Sequence, residues 1–190
     1  MRFFVSLLAL GSVALAQVPL PAVGKFPSVR VQVTVGTQER AVGTDFYHKT
    51  MHIQPRVSID GASTMVPIPA AEAQMLIVSM DTRAKFTEHR DSFKILSTET
   101  LPVPAVPNGN HRQFSFTDSN VTFDGYRDTS NVGGQMYKFY VFALRDAETK
   151  EIIDFETNCL QLLNFAKTHP EKRNEVLSLG RNAKFPTEFK

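Results

Sequence analysis

Apolar and polar residues alternate without a break over residues 28–35, SVRVQVTV, where every second residue is valine. A period of two predicts a β-strand with one buried side and one solvent-facing side. Residues 52–60, HIQPRVSID, repeat the pattern. Pro55 cannot donate to a strand ladder, so we expect this second strand to lie at a sheet edge or to bend at the proline.

Two later segments are apolar on both sides, which predicts strands covered by two layers. They are residues 74–80, QMLIVSM, and residues 136–144, MYKFYVFAL. A polar tip at residues 146–150, followed by a further apolar strand pattern, predicts a hairpin after the second of them. Residues 112–117 and 120–124 flank a turn-like Asp-Ser-Asn sequence and predict another hairpin.

The apolar spacing becomes helical near the C-terminus. Asn158 is the expected N-cap of a first short helix, and a second begins at Pro170 and ends near Gly180. Seven to nine short strands followed by two short helices predict a mainly β fold, an antiparallel β-sandwich of immunoglobulin-like shape. We expect residues 28–190 to form this single domain, with the C-terminal helices at about residues 158–180.

The first residues have the three parts of a secretory signal peptide. Arg2 supplies the positive start, residues 3–10 are apolar, and Ala14-Leu15-Ala16 offers the small residues of a cleavage site. We predict a signal peptide at residues 1–16, cut after Ala16, followed by an extended segment at residues 17–27. The apolar run is shorter than the roughly 18 residues of a membrane-spanning helix. The sequence therefore predicts a secreted or periplasmic protein with no transmembrane segment after signal removal.

Composition narrows the function classes. The 21 basic and 19 acidic residues are interspersed and form no basic block, which argues against a nucleic-acid or anionic-membrane partner. The single cysteine, Cys159, excludes an intramolecular disulfide framework and a thiolate zinc cluster. No phosphate-binding glycine loop, dinucleotide fingerprint or nucleophile elbow occurs. We therefore predict no catalytic residue, no cofactor and no metal site.

The acidic stretch before the aromatic strand is the first candidate for a ligand site. Its oxygen donors, spaced too sparsely for an EF-hand, are Asp118, Asp124, Asp128 and Asn131. Aspartate and asparagine also favour turns, because their side chains bond nearby backbone amides. We interpret the stretch as a loop, with Gly133-Gly134 supplying positive φ angles for re-entry into the strand.

His48 and His52 are the second candidate, because histidines four apart on a helix can share a zinc ion. On a strand they lie about 13 Å apart, which is too far for one ion. We interpret them as solvent-facing strand residues.

Cys159, in the first turn of the expected helix, is a third candidate, as a nucleophile activated by His169 or His111. Its leucine neighbours favour a buried, inert thiol.

Two proline-rich loops, residues 61–73 and 100–110, are the expected contact surface. Their candidate partner-binding residues are Val66, Ile68, Val103 and Val106, which would form one exposed apolar patch. The predicted function is a non-enzymatic macromolecular interaction module with a protein partner.

The principal alternative is a carbohydrate-binding module with a glycan partner. Its candidate ligand-stacking residues are Tyr47 and Tyr126. A third alternative is an enzyme that depends on Cys159.

Overall fold

A computed structural model describes residues 29–61, 67–106 and 111–189. Strands account for 57% and helices for 14% of the structure, as the predicted β-sandwich requires. The predicted signal peptide and the predicted extended segment lie outside the described residues. The strands are β1 Val29–Val42, β2 Asp45–Gly61, β3 Ala71–Asp81, β4 Phe93–Val103, β5 Arg112–Ser115, β6 Ser119–Asp124, β7 Gln135–Asp146, β8 Ile152–Thr157 and β9 Lys184–Phe185. The helices are α1 Thr82–Phe86, α2 Leu160–Thr168 and α3 Arg173–Leu177.

The first sheet is organised around the long strand β2, which pairs with β1 on one side. On its other side β2 pairs with β6 along His48–Ile53 and with β5 along Arg56–Ile59, both antiparallel. Strands β5 and β6 therefore follow one another along β2, and the predicted hairpin between them is wrong. β5 and β6 each form their strand hydrogen bonds with β2. The connection between them is bonded to β4 of the second sheet, where the Glu99 carboxylate accepts from the Thr117 amide at 2.7 Å.

Pro55 lies in this central strand, so of the two predicted alternatives, an edge strand or a bend at the proline, the edge strand is wrong. The carbonyl of Pro55 accepts a hydrogen bond from the Phe116 amide at 3.1 Å, on the side of β2 that faces β5 and β6. The amide and carbonyl of one strand residue point to the same edge. The missing N–H of Pro55 therefore falls where the partner changes from β6 to β5, and it removes only the reciprocal bond to the Phe116 carbonyl at that break.

The second sheet has the order β8-β7-β3-β4-β9, with all neighbours antiparallel. One face, with Met75 and Phe142, packs against the first sheet. The other face, with Val78 and Val141, is covered by α2, α3 and the chain around β9. Strands β3 and β7 are thus buried on both sides, and the β7–β8 hairpin is present, as the apolar pattern predicts.

Helix α2 begins one residue later than predicted, with Cys159 as its N-cap. Asn158 does not cap the helix, because its side chain is bonded to β7. Its amide oxygen accepts from the Tyr140 amide at 2.9 Å, and its amide nitrogen donates to the Tyr137 hydroxyl at 3.2 Å. Pro170 opens a 3₁₀ turn that leads into α3. Among the described residues, no helix is long and apolar enough to span a bilayer.

The proline-rich loops close one end of the core. Ile68 and Val106 form an antiparallel bridge with amide-to-carbonyl distances of 2.9 and 2.8 Å. Ile68, Val106 and Val103, the last residue of β4, are only 1%, 3% and 5% exposed. Their assignment to an exposed contact surface is therefore wrong, because these side chains fill the space between the sheets. Val66 lies outside the described residues.

Candidate functional site

The distal part of the β1–β2 hairpin is exposed on both faces. Every side chain from residue 36 to residue 48, here called the hairpin end, is exposed, whereas alternate β2 residues from Met51 onwards are buried. Val42, Phe46 and Tyr47 are 48%, 79% and 47% exposed. Large apolar side chains grouped at one exposed position are a recognised mark of an interaction site.

A tight turn and a short polar network shape the hairpin end. Val42 pairs with Asp45 across the turn, and Gly43 adopts a φ of 63°. Asp45 then accepts a hydrogen bond from the Tyr47 amide at 2.9 Å and forms an ion pair with His48. The hydrogen bond between the His48 ring and the Asp45 carboxylate raises the pKa of His48 and lowers the pKa of Asp45. The Asp45 side chain therefore holds the backbone that directly follows Phe46.

The structure brings the two candidate stacking tyrosines together. The rings of Tyr47 and Tyr126 are stacked, with centroids 3.5 Å apart and an angle of 10° between the ring planes. The Gly125 amide also donates to the Tyr47 carbonyl at 2.6 Å. A hydrogen bond with Tyr47, with a smaller contribution from burial, raises the pKa of Tyr126 to about 12. Each ring covers one face of the other, so the pair does not offer two open faces side by side.

Asp124 ties the adjoining loop, residues 125–134, to the hairpin. In the strand register Asp124 lies opposite His48 on the outer side of the first sheet, yet it is only 3% exposed. Its carboxylate accepts hydrogen bonds from the amides of Tyr126 and Val132 at 2.9 and 2.8 Å. The loop folds over a side chain that the strand alternation alone would leave in solvent.

Asn131 is 3% exposed, and its side chain lies inside the loop and bonds to its backbone. Its side chain donates to the carbonyls of Asp124 and Tyr126 and accepts from the Gly133 amide. Gly133 and Gly134 have φ angles of 106° and 126°, as the sequence predicts. These bonds support the turn interpretation of the acidic stretch. They also leave Val132 67% exposed next to the hairpin end.

The remaining acidic and histidine candidates are dispersed over the outer side of the first sheet. His52 lies on β2, as predicted, between Asn120 Oδ1 at 2.9 Å and Asp118 Oδ2 at 3.1 Å. Asp128 accepts from Ser130, which lowers the pKa of the carboxyl. In the described ranges, no group of three or more histidine, cysteine or acidic residues is placed to hold a metal ion.

Cys159 is half-buried beside the core under α2. His169 lies at the opposite end of this nine-residue helix, ten residues from Cys159 and therefore about 15 Å away at 1.5 Å per residue. Its ring stacks on Phe165. His111 directly precedes β5 of the first sheet and is paired with Asp60 at 2.6 Å. Neither histidine proposed for the thiol is placed to act as its base.

Sequence reasoning missed Val42, Phe46 and Val132. The available signal was the sequence GTDFY, in which two aromatic residues follow directly on a glycine turn. Because consecutive strand residues point to opposite sides, at most one of the two aromatics can face the core, so the exposure of at least one could have been anticipated.

No family model and no curated protein matches the sequence. Solved structures match with low scores. β-Glucuronidase 2 of Bacteroides uniformis, covalently bound to cyclophellitol-6-carboxylate aziridine, is 14% identical over 66% of this chain, with a TM-score of 0.37. The match spans only 12% of that enzyme.

Two further structures are similar at the same level. An Akkermansia muciniphila protein is 14% identical, with a TM-score of 0.32, over 69% of this chain and 71% of that chain. The structural genomics target SoR45 is 12% identical, with a TM-score of 0.25, over 68% and 85% of the two chains. Scores this low support no transfer of function.

Proposed function

We propose that the protein is a secreted or periplasmic, non-enzymatic interaction module that binds another protein through the hairpin end and Val132. The observation that carries this proposal is the exposure of Val42, Phe46 and Tyr47 at an end of the hairpin that none of the described segments covers. The signal-like residues 1–16 support export.

The rigidity of this surface favours protein binding. Aromatic side chains dominate the binding energy of many interfaces, and anchors held in place before binding lose little conformational entropy. Tyr47 is held by its stack with Tyr126, and the Asp45 carboxylate accepts hydrogen bonds from the amides of Tyr47 and His48, which directly follow Phe46. Val132 is held by the bonds of the neighbouring loop. The apolar groups are thus presented on a scaffold that is already ordered.

A crosslinking pull-down from the native secreted or envelope fraction tests the proposal. The bait is the protein from residue 17 onwards, compared with a Phe46→Ser/Tyr47→Ser variant. Leu160→Ser serves as the matched control, because Leu160 is 69% exposed but lies on α2. We expect one dominant protein partner that is captured by the wild type and the control and lost in the hairpin variant. Equal capture by all three proteins would contradict the proposal.

The carbohydrate-binding alternative rests on the Tyr47–Tyr126 pair, whose rings are parallel but cover one another. Sugar rings stack on open aromatic faces, so at most one face of each tyrosine is available. The test is electrophoresis of the native protein in a gel that contains immobilised polysaccharide. Retardation that the single substitution Tyr47→Ser abolishes would favour a glycan ligand over a protein partner.

A further inference from the structure

A groove of about 270 Å³ lies between the free edge of β8 and helix α2. The strand contributes residues 153–156, the helix contributes Leu163, Ala166 and Lys167, and Arg173 follows from α3. None of these residues belongs to the hairpin end or to the loop at residues 125–134. The groove is therefore a second surface, separate from the one proposed above.

The strand side of the groove has open backbone groups. β8 pairs with β7 on one side only, at the end of the strand order of its sheet. Within the described part of the chain, no backbone hydrogen bond joins the other side of β8 to another segment. An unpaired row of amides and carbonyls is a template for an added strand, and a helix alongside gives that strand a surface to pack on.

Two carboxylates lie on the same side of this edge strand. Asp154 and Glu156 are two residues apart, and Phe155 between them points to the opposite side, into the core beneath the helices. Burial is the main reason that the pKa of each carboxyl is raised. No salt bridge among the described residues includes either carboxylate.

The nearest cation on α3 is directed elsewhere. The Arg173 side chain donates to the Ala166 carbonyl at 2.9 Å, and its guanidinium lies 5.8 Å from the centre of the Phe155 ring. Arg173 therefore belongs to the helix side of β8. Burial raises the pKa of both carboxyls, and the Arg173 charge at Asp154 and the Lys167 charge at Glu156 oppose this rise, in each case as the smallest contribution. Neither cation forms a salt bridge with these carboxylates, so each carboxylate can still accept a closer cation from outside.

We propose that this groove binds an extended segment of another protein by strand addition to β8. Directly opposed residues of paired strands lie on the same side of the sheet and interact across it. The incoming segment therefore carries a lysine or arginine opposite each of Asp154 and Glu156. In the incoming segment, the residue between the two basic residues faces the helix side, where Leu163 and Ala166 favour an apolar side chain. The recognised pattern is basic–apolar–basic in an extended strand.

Fluorescence anisotropy of a labelled, end-blocked Thr-Lys-Val-Lys-Thr peptide tests this proposal. We expect saturable binding, about tenfold weaker binding of the matched Thr-Glu-Val-Glu-Thr peptide, and weakening of the first by salt. In an added strand, alternate amides face β8 and the others face away. N-methylation of the amides that face β8 should weaken binding, whereas N-methylation of the other amides should leave binding unchanged. Absence of binding up to about 1 mM, or equal binding of the acidic peptide, overturns the proposal.

The variant Asp154→Asn/Glu156→Gln should weaken the lysine peptide roughly five- to tenfold. Glu148→Gln/Glu151→Gln changes the charge equally in the adjacent turn and should leave binding unchanged.

Amide hydrogen exchange of the wild type supplies a readout that does not depend on any variant. Peptide-induced protection should appear at residues 152–157, and protection confined to other residues overturns the proposal. Occupation of this edge by a second copy, seen as a dimer by sedimentation, overturns it as well. These results are independent of the Phe46 and Tyr47 variants.

Discussion

Strand β2 passes through two environments, and its two halves show what a strand pattern does and does not fix. Between Met51 and Ile59, alternate side chains are buried against the second sheet. Between Asp45 and His48, every side chain is exposed. The β1 ladder runs without a shift from Lys49 to Gly61, whereas in the exposed half only Asp45 has a β1 partner, Val42, after a register shift. An alternating pattern therefore continues where both a regular ladder and an opposite layer are present, and burial depends on that opposite layer.

The largest expected difference between the two halves is in stability. Ile59, 0% exposed, lies in the core, so Ile59→Ala should lower the free energy of unfolding by about 2–5 kcal/mol. Phe46→Ala, in the exposed half of the same strand, should change it by less than about 0.5 kcal/mol. Urea denaturation measures both. Equal losses would mean that the hairpin end is packed against a layer of its own.

Gly134 tests how firmly the loop next to the hairpin end is held. A Cβ atom there would lie 2.4 Å from Phe123 Cα, and the φ of 126° is itself unfavourable for other residues. Gly134→Ala should therefore lower stability by about 2–4 kcal/mol. Gly43→Ala is the matched control, because Gly43 also has a positive φ but no atom within 4 Å of its Cβ position. It should lower stability by only about 1 kcal/mol, as measured by thermal unfolding.

Substitution of Asp124 should have a smaller effect on stability than Gly134→Ala. Asp124→Ala removes the acceptor of two loop amides and should lower stability by about 1–3 kcal/mol. We also expect faster proteolysis within residues 125–134, since the loop loses its attachment. Asp128→Ala, at an exposed carboxylate in the same loop, should lower stability clearly less than Asp124→Ala. Similar effects of the two variants would argue against a special role for the buried carboxylate.

The smallest expected effect concerns the tyrosine pair. Tyr47→Phe removes the hydroxyl that raises the pKa of Tyr126, so the pKa should move from about 12 towards the ordinary 10.0. Phenolate absorbance against pH measures this change. A pKa raised in the folded state contributes stability below pH 10 that is lost as the pH rises towards 12. The wild type should therefore lose more stability than the variant over this interval, and identical titrations would show that the two hydroxyls do not interact.

The strands that sequence analysis placed correctly are those with an uninterrupted pattern. Period-two alternation located β1, and two-sided apolar runs located β3 and β7 as strands between two layers. The errors occurred where pairing was inferred from adjacency in sequence. Strands β5 and β6 resemble a hairpin because a turn-like sequence separates them, but both are paired with β2. Pairing is a long-range property, which the intervening turn did not decide.

The candidate site shows the same division. Tyr47 and Tyr126 could be named from the sequence as aromatics near strand ends, but their stack depends on the meeting of two segments 79 residues apart. Ile68 and Val106 were expected in a surface patch because their loops contain several prolines. They are buried because Ile68 and Val106 each donate one backbone hydrogen bond to the other, and their side chains close the core.

The sequence by itself determined that this chain forms a β-sandwich with helices at its C-terminal end, because residue periodicity reflects the geometry of each element. It also determined the glycine pair with positive φ, since the tight re-entry into β7 depends on local chain geometry. Only the tertiary structure decided which strands pair, which end of the long hairpin is uncovered, and which apolar loop residues become core. Those outcomes depend on the layer that lies opposite each residue, and that layer comes from distant parts of the chain.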